Sequence, residues 1–503
     1  MAFLLSRRPS KQHFLFAFLC LAVFYFVFVN VNTTPAHFEP SSPPPPHVVL
    51  EEVHVDYVKP HDHEDLEDIR IDTTREEETA EMQRKIIDRK YCSQDNCRFL
   101  LPITITEQES KAQMHFRQVA FLAGRLGRTI VLPNVHSSHL GACRKHPFSF
   151  YYSYEWLNKN KKFFNYITLD DFKQWARERA QVAIKPTAQE LYIEVNEDFH
   201  LMDNVQNCMQ HLMNFDGRHI KRYMLPDPEA RERREGNYSQ ILQRVMSDET
   251  MAEGYLDGKA TKVPHLDVLN LYYDRRFPFI EDPEVDEPMK YSDTWVDVAK
   301  KVADNLSPFV AIHWRMERLE VLDNLVPCAQ NLVAQIKKLV YDNAMAQYPP
   351  IFLLTDYPHL LNASTRGPES MSFKLSELQS QHHEAINYLY ENLNITLTTI
   401  ERPNQPIPYR ELPAENWNIV PVPAHAQPAD TSVLGIVDKL IAMRAQWFWA
   451  GSPGICARAS SFTLRIMEER KKQKELQDQG LSNPRDPIIR SIAKPFTNTA
   501  LES

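Results

Sequence analysis

Between residues 295 and 470 short apolar runs alternate with longer stretches of helical spacing, and few folds accept that alternation. Residues 295–306 read as a helix, 309–313 as a buried strand, 330–346 as a helix, 351–354 as a strand, 369–392 as helical and 395–399 as a strand. The series closes on 430–470: a helix, an aromatic strand at 446–450, the tight loop Gly451-Ser-Pro-Gly454, and a second helix that Ser460 or Ser461 can cap. In the first of those helices Val433, Leu434, Val437, Leu440 and Ile441 recur at helical spacing. Helices that cross between parallel strands cover both faces of a sheet, so a Rossmann-like α/β domain is predicted over 291–475, followed by a polar tail at 476–503. Ligands of such sheets bind outside the carboxyl ends of the strands.

A chain of 503 residues exceeds one core, and a second α/β domain is expected over 91–290. It opens with a strand at 98–104, a helix at 109–126 and a strand at 128–132, a βαβ unit whose loops at 106–110 and 134–139 fall at strand carboxyl ends. Thr168 begins a capped helix. Residues 281–288, acidic and proline-bearing, are a plausible boundary.

The N-terminal part has another character. Residues 14–29 are unbroken apolar, preceded by Arg7, Arg8 and Lys11. This favours a signal anchor over 14–31 with residues 1–13 cytoplasmic and the rest luminal, against the rival reading of a cleaved signal peptide. Residues 32–90 read as a flexible stem: Pro43 to Pro46 is a polyproline spacer, and 51–84 is acidic and poor in apolar side chains. Cys92, Cys97, Cys143, Cys208, Cys328 and Cys456 then lie in an oxidising compartment, where three disulfides are permitted. Sequons at Asn32, Asn237, Asn362 and Asn394 fit a luminal glycoprotein of the Golgi or endoplasmic reticulum. The net charge of −9 argues against nucleic acid as a partner.

Several residues at strand ends can carry chemistry. His313 and Arg315 stand two apart, so both fall on one face with Trp314 opposite, and an arginine there can clamp a phosphate. Asp356 follows a strand, and Asp438 interrupts an apolar helix face, where it could bind a nucleobase or ribose or pair with Arg444. Glu107 and Glu109 sit at the mouth of the first βαβ unit, where a carboxylate could act as a general base or complement the helix dipole. The loop before Ser460 and Ser461 suits an anion at a helix start. Only 12 glycines occur, and no Walker loop, GxGxxG or GxSxG motif is present, so kinase, dehydrogenase and hydrolase readings lack their parts.

Together these pieces resemble the GDP-fucose protein O-fucosyltransferase family. The resemblance rests on His313-x-Arg315, Thr355-Asp356, Val437-Asp438-x-x-Ile441 and Ser460-Ser461-Phe462 with the following run to Arg470, and more loosely on LAGRLGRTIVLP; it covers about 92–470. It implies two Rossmann-like domains facing across a cleft, the GT-B arrangement, and an inverting glycosyltransferase that takes GDP-fucose as donor substrate with no cofactor and no metal. By that resemblance Arg315 would hold the diphosphate and assist departure of GDP, and His313 would lie near nucleotide or sugar. Asp356 and Asp438 would be donor-side residues, and Ser460, Ser461 and Phe462 would contact phosphates and nucleoside. The partners are then a nucleotide sugar, a protein or glycan acceptor bearing a Ser/Thr hydroxyl, and the membrane. The loop Ile105-Thr-Glu-Gln-Glu-Ser-Lys111 departs from the family's glycine- and asparagine-bearing loop, which leaves Glu109, or else Glu107, where a base could sit. Another nucleotide sugar, or a catalytically silent binding protein on the same fold, are the alternatives.

Overall fold

The computed structural model describes residues 66–183, 186–193, 253–256, 259–262, 267–273, 280, 282–358, 373, 375–401, 417–423, 430–484 and 486–498. The apolar run at 14–31, the polyproline spacer and the sequons at Asn32, Asn237 and Asn362 lie outside the described residues; Asn394 is exposed. Among the described residues no helix is long and apolar enough to cross a membrane.

Helix α1 (Leu66–Cys92) corrects the expectation that a free stem runs to residue 90. Its end is docked: Asp88 is fully buried, accepts a hydrogen bond from Trp175 Nε1 at 2.8 Å, and lies 3.0 Å from Arg84 and 3.2 Å from Arg179. The stretch is apolar-poor because its anchor is a paired charge, tolerable in the interior only with such partners. The first sheet follows from β1 (Phe99–Ile105), α2 (Glu109–Arg125) and β2 (Thr129–Val131), the expected βαβ unit with β1 and β2 parallel. A hairpin of β3 (Asn134–His136) and β4 (His139–Gly141) folds onto the end of β1 through Ile105 and Leu140. Then come α3 (Glu155–Lys159), β5 (Tyr166–Ile167) and α4 (Leu169–Ala180), the last capped by Thr168 Oγ1, which accepts from the Asp171 N–H at 3.1 Å. Strand β6 (Ala188–Ile193) pairs with β9 (Val268–Tyr273), which in turn pairs with β1; β7 (Glu253–Leu256) and β8 (Lys259–Lys262) form a separate antiparallel pair.

After α5 (Pro283–Asp286) the second half alternates cleanly. Its elements are α6 (Asp293–Leu306), β10 (Val310–Trp314), α7 (Leu325–Asp342), β11 (Ile351–Thr355), α8 (Ser380–Asn392), β12 (Ile395–Ile400), β13 (Trp417–Val422), α9 (Val433–Met443), β14 (Trp447–Gly451), α10 (Ser461–Asp478) and β15 (Lys494–Phe496). All six strands are parallel, in the order β13-β12-β11-β10-β14-β15. Helix α7 begins five residues before the expected Gln330, because Leu325, Cys328 and Ala329 extend its buried stripe and Pro327 falls in the tolerant first turn. Of the stretch 369–392 read as helical, Ser380–Asn392 is helix and Leu375–Glu377 a 3-10 turn, while 369–372 and 374 lie outside the described residues. The polar tail is also corrected: β15 adds to the sheet beside β14, with Phe496 buried.

Three apolar layers result. Trp175, Phe172 and Phe99 fill one face of the first sheet, and α7 and α8 cover one face of the second. Between the sheets, α2, α6 and α9 share a single core in which Phe116, Trp295, Phe309, Ile436 and Phe448 belong to one cluster. Disulfides join Cys92 to Cys97 and Cys328 of α7 to Cys456 in the loop after β14; Cys143 is also disulfide-bonded.

Candidate functional site

A cavity of about 780 Å3 opens at the carboxyl ends of β10, β11 and β12. Loops of the first half close it from the other side: residues 107–111 before α2, and the β3–β4 turn at 137–139. Its size falls within the range of small-molecule sites. Glu109, His313, Arg315, Asp356, Asp438, Ser460, Ser461 and Phe462 all line it, so every residue singled out from the sequence arrives at one wall or another of the same cavity.

The register of β10 explains the pair at its end. Val310, Ile312 and Trp314 pack into the outer layer, while Phe309 and Ala311 face the inter-sheet core. His313 and Arg315 follow the second set and emerge at the cavity. His313 is buried, stacks on Phe462 with ring centroids 4.9 Å apart, and its Nδ1 lies 2.7 Å from Thr463 Oγ1. Burial, with the charges of Arg315 and Lys439 nearby, pushes its imidazole down to about 3, so it is neutral at physiological pH. Arg315 Nη1 donates to the Ala459 carbonyl at 3.0 Å, and Nη2 donates to Glu317. Arg458 lies 3.8 Å from the same Glu317 carboxylate. Two guanidiniums thus share one carboxylate, with the Asp356 carboxyl nearby.

Asp356 braces rather than reaches. Its two oxygens accept the Met316 and Glu317 N–H groups, each at 2.9 Å, and so fix the loop that carries Arg315. Burial pushes its carboxyl up to about 6 against those two hydrogen bonds. Asp438 accepts a hydrogen bond from Thr398, while Arg444 reaches Asp304 at 3.6 Å instead. Ser460 caps α10 by accepting the Thr463 N–H at 3.4 Å, and Ser461 and Phe462 form the first turn at the cavity edge. The loop leading there needs its glycine: a Cβ on Gly451 would sit 2.7 Å from the Ala457 side chain.

Glu109 departs from its expected role as a base. At the first position of α2 it is buried and pairs with Lys439 of α9; Tyr291 and Tyr152 hydroxyls donate to it at 2.9 and 3.2 Å. Burial raises its carboxyl, but the Lys439 ammonium and these donors outweigh that and hold it below the usual range. A carboxylate with its lone pairs so occupied is a poor acceptor for a substrate's proton. Glu107, one residue outside the helix cap, is partly exposed at the cavity and pairs with Lys111 at 3.1 Å. Lys439 was not singled out from the sequence. Its signal was there: it stands three residues after Ile436 and four before Met443, on the buried stripe of α9.

Two further features mark the cavity. The first turns of α2, α9 and α10 all border it, and helix starts present free N–H groups and partial positive charge to an anion. Glu107, Ser137, Ser138 and Arg318 have φ between 49° and 70°, and all four line it. Left-handed backbone at non-glycine residues concentrates where the surrounding structure imposes it, commonly at binding sites.

No family model matches the sequence, and no curated protein matches it. Solved structures do. The chain is similar to the crystal structure of POFUT1 in complex with GDP-fucose, at 14% identity and a TM-score of 0.42, over 80% of this chain and 98% of that one. It is similar to POFUT1 in complex with GDP, at 15% identity and a TM-score of 0.40, with the same coverage. It is also similar to the fucosyltransferase NodZ from Bradyrhizobium, at 12% identity and a TM-score of 0.31, over 75% of this chain and 93% of that one.

Proposed function

We propose that the chain is an inverting glycosyltransferase that takes GDP-fucose in this cavity and passes the fucosyl group to a Ser/Thr hydroxyl of a secretory-pathway protein. The observation that carries the reading is the meeting of Arg315, His313 and the Ser460–Phe462 helix start at one sheet edge, the residues on which the sequence resemblance rests. In the reaction the acceptor oxygen bonds to the anomeric carbon as the bond from that carbon to the diphosphate breaks. GDP leaves with the electron pair, and its charge is met by Arg315 and the start of α10. Neutral His313, stacked on Phe462, offers a hydrogen-bonding edge without adding charge. Glu107 is the carboxylate at the mouth with room to take the acceptor's proton. The GT-B arrangement, and a type II anchor at 14–31 that holds the enzyme in the Golgi or endoplasmic reticulum membrane with its catalytic part luminal, complete the reading.

Incubation with GDP-fucose and an acceptor peptide pool tests it. Arg315→Ala is expected to lower turnover by about 100- to 1,000-fold, the usual effect of removing one charge-stabilising donor; undiminished turnover would remove Arg315 from the mechanism. Glu107→Gln should reduce kcat with donor affinity held. Thermal shifts should respond to GDP, with about 2.7 kcal/mol at a ligand concentration 100 times Kd; a response to UDP alone eliminates the fucose reading. The occupied Glu109 carboxylate favours one rival, a catalytically silent nucleotide-binding protein on this fold. Stabilisation by GDP with no transfer or hydrolysis across the pool selects it.

A further inference from the structure

Beside the cavity, and outside its lining, three metal-ligating side chains converge. His136 ends β3, His146 bridges back to Val135 across that strand, and Asp430 stands just before α9 in the other half of the molecule. One ligand atom from each lies within 4.8 Å of the other two. His146 is 7% exposed and Asp430 4%. Neither His136 Nδ1 nor His146 Nε2 has a hydrogen-bond partner among the described residues. His136 Nδ1 is 3.5 Å from Asp430 Oδ2, close but not aligned as a hydrogen bond. Buried ring nitrogens without partners are costly, and two histidines that each carry one beside a buried carboxylate call for a shared occupant.

We propose that His136, His146 and Asp430 form a binding site for a divalent transition metal, of the zinc type, that clamps the β3–β4 hairpin to the start of α9. Two imidazoles and one carboxylate are a borderline-soft donor set that suits zinc and leaves a fourth position for water. Ligand atoms around a tetrahedral zinc stand roughly 3.3 Å apart, given bonds of about 2.0 Å, so closure by up to about 1.5 Å completes the set. The carboxylate is held in position, and an ion would displace one of the donors it now accepts from. Ser432 donates to Asp430 through its N–H at 3.1 Å and its hydroxyl at 2.7 Å, the Ser137 N–H donates at 3.1 Å, and the Tyr151 hydroxyl donates as well. Partners of this kind orient metal ligands and are part of a metal site's affinity. His136, with 17% of its side chain exposed, gives the ion a way in. The residues that follow two of the ligands, Ser137 and Ser138 after His136 and Thr431 and Ser432 after Asp430, border the cavity, so the clamp stiffens two of its walls. The site stands on these residues alone and not on the reading of the cavity.

The test uses the full chain, stripped with chelator and titrated with Co2+ as a visible probe and Zn2+ as competitor. The expected result is one equivalent of Co2+ with the strong absorption of a tetrahedral site, displaced by Zn2+, and a rise in melting temperature with Zn2+. His136→Gln and His146→Gln should each weaken binding by more than the roughly 100-fold that loss of a supporting partner costs. Should His146→Gln fail to fold, His136→Gln at the rim carries the comparison. A wild-type chain that binds no stoichiometric Co2+ overturns the proposal. So does full binding retained in either variant, which would put the metal elsewhere, as in the histidine-bearing stretch at 54–63.

Discussion

His313 lies on β10 and Asp356 just past the end of the adjacent β11, and burial drives their protons in opposite directions. An unfolded histidine takes a proton near pH 6.5, whereas folded His313 refuses it until about pH 3. Between those values the unfolded chain holds the extra proton, so His313 makes stability fall as pH drops from 6.5 toward 3. For Asp356 the folded carboxyl keeps its proton up to about pH 6 and the unfolded one loses it near 3.8. Asp356 therefore works the other way: its contribution to stability grows as pH falls through the window from 6 to 4. His313→Asn keeps a polar partner for Thr463 and removes only the histidine's contribution. The variant's melting temperature should therefore fall less than the wild type's between pH 7 and pH 5. Parallel curves would mean that His313 is not held neutral in the fold. This matters for chemistry too, since a neutral ring can orient a sugar or nucleotide hydroxyl but cannot supply charge to a leaving diphosphate. On the proposed reading that task falls to Arg315.

At the scale of elements, the first residue of α2 meets the middle of α9 through Glu109 and Lys439. Lys439→Met strands a buried carboxylate and should cost about 3–5 kcal/mol in chemical denaturation. Glu109→Gln in the same chain removes the stranded charge, so the double variant should recover much of that loss. Equal stabilities for single and double variants would show that the pair does not act as a unit. The sequence reading reached these elements unevenly, for physical reasons. Buried parallel strands such as β10, β11 and β14 are nearly continuous apolar runs, legible one by one. Strand β13, Trp417–Val422, carries a proline, and β15 is only Lys494–Phe496; both exist because of partners far along the chain, which local pattern does not encode. The end of α1 looked solvated because Arg84 and Asp88 resemble an ordinary surface pair, four residues apart. Only Trp175 and Arg179, nearly ninety residues on, make it interior. The cavity-lining residues at the ends of β10 and β11 and at the start of α10 were legible because strand ends and caps are local. The occupied state of Glu109 was not, since its partners come from residues 152, 291 and 439.

The whole molecule poses a different question, because chains this long usually divide into cores that unfold separately. Here the layer of α2, α6 and α9 belongs to both sheets, and one apolar cluster runs from Leu100 to Phe448. Among the polar contacts between the halves, Glu109 pairs with Lys439 and Asp430 accepts from Tyr151. A shared core predicts shared stability. Trp295 of α6 is the place to ask: it is 1% exposed, meets Phe150 edge-on at 5.3 Å, and its indole N–H donates to the Phe150 carbonyl. Trp295→Ala should cost about 3–5 kcal/mol, as large-to-small changes in packed cores do. If the two sheets form one cooperative unit, hydrogen exchange should quicken by the same factor in β1 of the first sheet and β10 of the second. If they are independent domains that merely touch, only one of the two strands should lose protection. The first outcome ties the two walls of the cavity to one folding event, so that a nucleotide bound to either wall stabilises both.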